Sequence, residues 1–89
     1  MTKEEAAEKA RKDLAKRLGI DESQVAKQSV TDADFPDMAL GAAGAGEMSG
    51  QMITRGWKIQ LQAAGQNYEY RADKGQLRLY KFKGKNYKI

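Results

Sequence analysis

Ala7, Ala10, Leu14 and Leu18 recur at spacings of three, four and four, which places them on one face of a helix. Thr2 and Glu5 have the spacing of a capping box at its start, and Glu4, Glu5 and Glu8 precede Lys16 and Arg17 in the order that suits the helix dipole. Gly19 follows as the left-handed stop, with Ile20 folding back on the last turn. Small alanines early in the stripe imply close approach to a sheet. Asp21-Glu22-Ser23-Gln24 repeats the capping pattern and predicts a single helical turn.

The pattern then changes period. Ala26 to Asp34 reads as a strand whose poor alternation predicts an edge, ended by Phe35-Pro36-Asp37. From Gln51 to Ala63 the alternation is clear: Trp57, Ile59, Leu61 and Ala63 face one way, Lys58, Gln60 and Gln62 the other. Gly56 marks a bulge or bend in this run. After a turn at Ala64-Gly65-Gln66-Asn67, Tyr68, Tyr70 and Ala72 share a face. Beyond Asp73-Lys74-Gly75, Leu77 and Leu79 point inward, with Arg78, Tyr80 and Phe82 on the other side. Gly84 permits a last turn, after which Tyr87-Lys88-Ile89 forms at most a short final strand. The expectation is one α+β domain over residues 1–89, with a single N-terminal helix on one face of an antiparallel sheet of about four strands, in the order α-β-loop-β-β-β.

Residues 37–50 break every period. Gly41, Gly44, Gly46 and Gly50 lie among alanines with little side-chain volume to anchor the backbone, so a long flexible connection is expected, opening with a helical turn at Met38-Ala39-Leu40. The glycines do not make a phosphate loop, since no Gly-Lys-Ser/Thr ending follows.

Composition narrows the chemistry. There is no cysteine, which excludes disulfides and thiolate zinc sites, and no histidine, which removes the one side chain that titrates near neutrality unaided. An 89-residue chain also has a thin core with little room for a deep cleft. Catalysis, metal and cofactor binding are therefore not expected. Asp32, Asp34 and Asp37 lack the spacing of a calcium loop, because Pro36 interrupts them. The charge is lopsided: residues 1–46 carry seven basic and nine acidic side chains, residues 47–89 nine and three. No apolar run reaches the ~20 residues of a membrane span. The chain is soluble as written; its compartment stays open between export, if a leader was removed, and the cytoplasm.

The stretch Phe35-Pro36-Asp37-Met38-Ala39-Leu40-Gly41 resembles the W-P-D-x-S-L-G-C-P-x-P-G motif of a family of small bacterial domains, often secreted or lipid-anchored. The family's T-Q-V-x-T-P-G-Y-R-I strand is similar to Gly50–Ile59, and its K-x-Y-E-Y-H-T-D-x-G hairpin to Gln66–Gly75. The family is of unknown function, and its layout looks like the helix-on-sheet domains of the PepSY and cystatin group, some linked to peptidase inhibition. Ala42-Ala43-Gly44-Ala45-Gly46 stands where the motif has Cys-Pro-x-Pro-Gly, and the second family cysteine, near Tyr80, is also missing. The resemblance implies a lost disulfide and a freed loop.

Two candidate surfaces emerge. Gln51, Met52, Ile53, Thr54, Arg55 and Gly56, beside the loop, are the candidate binding segment of a non-catalytic, monomeric module that takes a protein or peptide, in the manner of a peptidase inhibitor or otherwise. Lys81, Lys83, Lys85 and Lys88, interleaved with Tyr80, Phe82 and Tyr87, form a basic patch whose alternatives are phosphate contact with a nucleic acid or polyanion and protection of a sheet edge. A third reading is a structural domain that pairs through its edge strand. Trp57, Tyr68 and Tyr70 offer a stacking surface in principle, but packing into the core is the preferred reading.

Overall fold

In the computed structural model, which describes residues 1–89, the capping box forms: Thr2 N–H donates to Glu5 Oε1 at 2.7 Å and Glu5 N–H to Thr2 Oγ1 at 3.1 Å. Hydrogen bonding to the carboxyl from the Thr2 backbone amide, then from the Thr2 side chain, holds Glu5 below its ordinary range. Helix α1 runs from Lys3 to Leu18 and stops at Gly19, whose φ of 69° turns the chain so that the Gly19 and Ile20 amides return to the carbonyls of Lys16 and Ala15. A 3-10 turn at Glu22–Gln24 follows. Arg11 ties this turn back to the helix, donating to the carbonyls of Glu22 and Val25.

Five strands make one antiparallel sheet in chain order: β1 (Ala26–Phe35), β2 (Thr54–Ala63), β3 (Gln66–Asp73), β4 (Gln76–Phe82) and β5 (Lys85–Lys88). The helix-on-sheet plan and the edge position of β1 are as the pattern predicts. The count is five rather than about four, because Lys83 and Gly84 adopt positive φ and make a two-residue hairpin that returns the chain along β4. Ala64 and Gly65 do the same between β2 and β3, so β3 begins at Gln66.

One face of the sheet carries α1. Ala6, Ala7, Ala10, Leu14 and Ala15 pack with Val25, Ile59, Leu61, Ala63, Tyr70, Ala72, Leu77, Leu79 and Phe82 in a single buried cluster. The alanines let the helix backbone approach closely, and Leu14, fully buried, contributes about 1.5–3 kcal/mol of transfer free energy. Leu18, Trp57 and Tyr68 are half-buried against the same cluster, so the aromatic side chains pack rather than present a stacking surface. Tyr70 donates its hydroxyl proton to Asp13 Oδ2 at 2.7 Å, and Arg17 Nε donates to the same oxygen at 2.7 Å, fastening α1 to β3. Burial first, then the Asp13 carboxylate, drives the Tyr70 phenol well above its usual pKa.

Phe82 corrects the alternation read from the sequence. A register irregularity between Leu79 and Phe82, with Lys81 at φ 50°, swings Phe82 to the helix side, where it is buried with Tyr68 and Tyr87. Gly56 is not a bulge. It lies in the regular part of β2, opposite Ala33, and a Cβ there would come within 2.1 Å of the Ala72 carbonyl oxygen. The bulge in this pair of strands is in β1, between Lys27 and Ser29.

Candidate functional site

The sheet's second face holds Phe35, Arg71, Arg78 and Tyr80, and the segment between β1 and β2 lies across it as a strap. Pro36 starts the strap. Asp37 then shapes its first turn, accepting from the amides of Ala39 and Gly41 through Oδ1 at 2.9 and 3.0 Å. Leu40 and Gly41 both sit at positive φ, 61° and 65°, and this left-handed pair turns Ala39, Leu40 and Ala42 down onto the sheet, where all three are buried. For leucine that conformation is strained; its burial and its carbonyl bond to Arg71 hold it there.

Polar side chains of the sheet complete the attachment. Arg78, 3% exposed, donates to Glu47 Oε1 and Oε2 through its two terminal nitrogens, each at 2.7 Å. Asn86 donates to the Ala43 carbonyl and Gln76 to the Met38 carbonyl. Arg71 lies over the Tyr80 ring at 3.6 Å and the Phe35 ring at 5.3 Å. Arg71 and Arg78 are direct cross-strand neighbours, a repulsive placement unless each charge is matched. Glu69 matches the first and Glu47 the second. Hydrogen bonding from Arg78, then from the Gly44 amide, with the Arg78 and Lys88 charges, lowers the Glu47 carboxyl to about 2.

This corrects the expectation of a connection without anchors. The glycines and alanines are small because the strap lies close on the sheet, and the anchoring volume comes from the arginines beneath it.

A family model matches residues 7–80. The chain belongs to the domain of unknown function DUF8738. No curated protein and no solved structure matches it. The DUF8738 span runs from the first turns of α1 to Tyr80 in β4, so it takes in the whole strap and leaves the β5 hairpin outside.

Within that span, the strap's last part is laid bare. Met48 is 96% exposed, Ile53 74%, Met52 63% and Met38 50%; with Ile89 these are the only large apolar side chains in the chain so exposed. Met38 and Gly50 are joined by a backbone hydrogen bond of 2.9 Å, and the Met38 sulfur lies against Gly50, so Met38 borders the stretch that holds Met48 and Met52.

The six residues of the candidate segment separate into two groups. Gln51, Met52 and Ile53 are exposed and lie outside any strand, which shortens the run read from Gln51 to one that begins at Thr54. Thr54, Arg55 and Gly56 belong to β2. Thr54 caps the strand end by donating to the Met52 carbonyl, Arg55 reaches Asp34 and Asp32 across β1, and Gly56 is buried. The four lysines are exposed around β4 and β5, outside the family span, with the Lys81 and Lys83 ammonium groups over the Tyr80 and Phe82 rings at 5.2 and 5.4 Å. No group of three metal-ligating side chains comes together, and Asp32 and Asp34 instead meet Arg55. No helix is long and apolar enough to cross a membrane.

Sequence reasoning missed Arg78 and Glu47. The signal was present: Arg78 alternates with Leu77 and Leu79, which places it on the opposite face, and Glu47 is the one carboxylate in the glycine-alanine run between Gly41 and Gly50.

Proposed function

We propose that this domain is a non-catalytic module that binds a protein or an extended peptide through Met48, Gln51, Met52 and Ile53, with Met38 at the border. One observation carries the reading: four of the chain's five exposed large apolar side chains fall in the one segment between β1 and β2. Apolar residues gathered on a surface mark interaction sites when they are contiguous, and methionine adapts to varied partners. The segment also lies inside the DUF8738 span, unlike the lysine patch. The absence of histidine and cysteine supports a binding role over a catalytic one.

The resemblance to the PepSY and cystatin group points to a peptidase or a peptide as the partner class. On that resemblance, relatives staple the loop near Tyr80 with a disulfide; in this chain the Arg78–Glu47 pair does comparable work from the same strand. The partner experiment uses the immobilised domain and a variant with both Met52 and Ile53 changed to aspartate. Retention of a partner from host lysate by the parent and not by the variant, at equal folded content, supports the reading. Equal retention by both, or none by either, removes it.

A second reading rests on the exposure of Lys81, Lys83, Lys85 and Lys88 on one hairpin. Such a patch would bind a polyanion in a salt-sensitive way. Titration with single-stranded DNA at two salt concentrations decides it: no binding at low salt ends the proposal.

A further inference from the structure

Strand β1 is ten residues long and pairs on one side only, so its other edge has unpaired backbone groups. Its side chains are set by an unusual register. Lys27 lies opposite Leu61, Val30 opposite Ile59 and Asp32 opposite Trp57, so all three share the helix face. The irregularity between Lys27 and Ser29 makes this so: in a regular strand Lys27 would share a face with Ser29 and Thr31, away from Asp32. Beside the edge, Lys3, Glu4 and Ala7 of α1 and Lys27–Val30 of β1 wall an open groove of about 310 Å³. The helix therefore leaves room for a neighbouring strand's side chains.

We infer that β1 pairs antiparallel with β1 of a second copy of this chain, Val30 facing Val30, to make one continuous ten-stranded sheet. A two-fold axis normal to the sheet keeps every residue on its own face. Counted in steps along β2, Lys27 lies two positions to one side of Val30 and Asp32 two to the other. Each Lys27 then stands directly opposite the partner's Asp32. On the opposite face Ser29 meets the partner's Thr31, and Ala26 meets the partner's Ala33 by the same count. The pairing gives two reciprocal ion pairs, two hydroxyl pairs and an apolar centre, all favourable cross-strand combinations. Centring on Asp32 instead sets Asp32 against Asp32 and is repelled. The edge charges and the bulge discourage unrelated strands, while the inverse order of charges admits a second copy. This departs from the monomeric module of the sequence analysis and gives its third reading, pairing through the edge strand, a partner and a register, because the face of Lys27 depends on a bulge that the sequence pattern does not reveal.

Charge reversal tests the pairing. Sedimentation equilibrium on the parent chain is expected to show a monomer–dimer equilibrium that weakens with salt. Lys27→Glu alone or Asp32→Lys alone sets like charges opposite each other twice per dimer, and each is expected to weaken self-association roughly tenfold or more. Mixing the two variants restores association, since both cross-strand pairs become attractive in the mixed dimer. Both residues are exposed. Asp32 also meets Lys3 at 3.4 Å and Arg55 at 3.8 Å within its own chain, so Asp32→Lys loses those solvated contacts as well. Circular dichroism checks that each variant is folded, while the mixture isolates the effect between copies. A parent that remains monomeric at millimolar concentration overturns the inference. So does a dimer indifferent to either reversal, or a mixture that associates no better than its components.

Discussion

Arg78 on β4 and Glu47 in the strap meet through two hydrogen bonds of 2.7 Å, joining residues thirty-one positions apart over the sheet face that α1 leaves bare. The bond satisfies an arginine that is otherwise buried with the Gln76 side chain and the Ala42 carbonyl as its partners. A half-satisfied buried charge is costly, so strap and sheet depend on each other.

Acid should loosen that attachment. The Glu47 carboxyl lies at about 2 in the folded chain against an ordinary 4.5, so the folded state holds it ionised where the unfolded state takes up a proton. Its stabilising contribution is complete above pH 4.5, declines as the pH falls and is gone near pH 2. Urea midpoints measured across this window should fall less steeply for Glu47→Gln than for the parent, and Glu47→Gln should be the less stable chain at neutral pH.

Tyr70→Phe removes the bond to Asp13 while keeping the ring in the core. The expected loss is about 1.5–3 kcal/mol, the range for a hydrogen bond to a charged group. Because the folded state keeps the phenol protonated, the parent also loses stability as the pH rises past the ordinary phenol value of 10.0, and Tyr70→Phe lacks that component. Chemical denaturation at neutral pH and above pH 10 measures both effects.

Gly56→Ala should be among the worst single-methyl changes. Its Cβ would meet the Ala72 carbonyl oxygen at 2.1 Å and Phe35 Cε2 at 3.3 Å. Separating β2 from β3 to admit it costs about 1–3 kcal/mol or more, the scale of overpacking in a dense core. Thermal unfolding reads the cost. Gly46→Ala, with open space around its Cβ but a φ of 76°, should cost about 1 kcal/mol, the conformational penalty alone.

Met52→Asp and Ile53→Asp should leave the urea midpoint within about 0.5 kcal/mol of the parent, as expected for exposed positions without partners. That neutrality separates the candidate binding segment from the strap proper, where Leu40→Ala, at a fully buried site, is expected to cost about 2–5 kcal/mol.

The helix, its caps and the inward set of Ile59, Leu61, Tyr70, Leu77 and Leu79 were legible because each obeys a local period or a capping rule. Phe82 was not, since the left-handed residue at Lys81 and the register irregularity beside it turn Phe82 to the opposite face. The strap was not, because its order comes from long-range bonds to Arg71, Arg78, Gln76 and Asn86, and a run of glycine and alanine has no period to announce them. Of the candidate segment, Gln51–Ile53 was read as the start of β2, and its place outside the sheet was not legible because nothing in its residue types marks where pairing with β1 ends. Gly56, the one buried residue of the segment, was read as a bulge or bend, when it marks the close approach of two backbones.

Backbone ¹⁵N relaxation along residues 37–53 measures most directly whether an anchored strap presents a free apolar segment. The account predicts order parameters near ~0.85 from Ala39 to Glu47 and a fall toward ~0.6 or below from Met48 to Ile53. Low values along the whole stretch, with Glu47 as mobile as Met52, would contradict it.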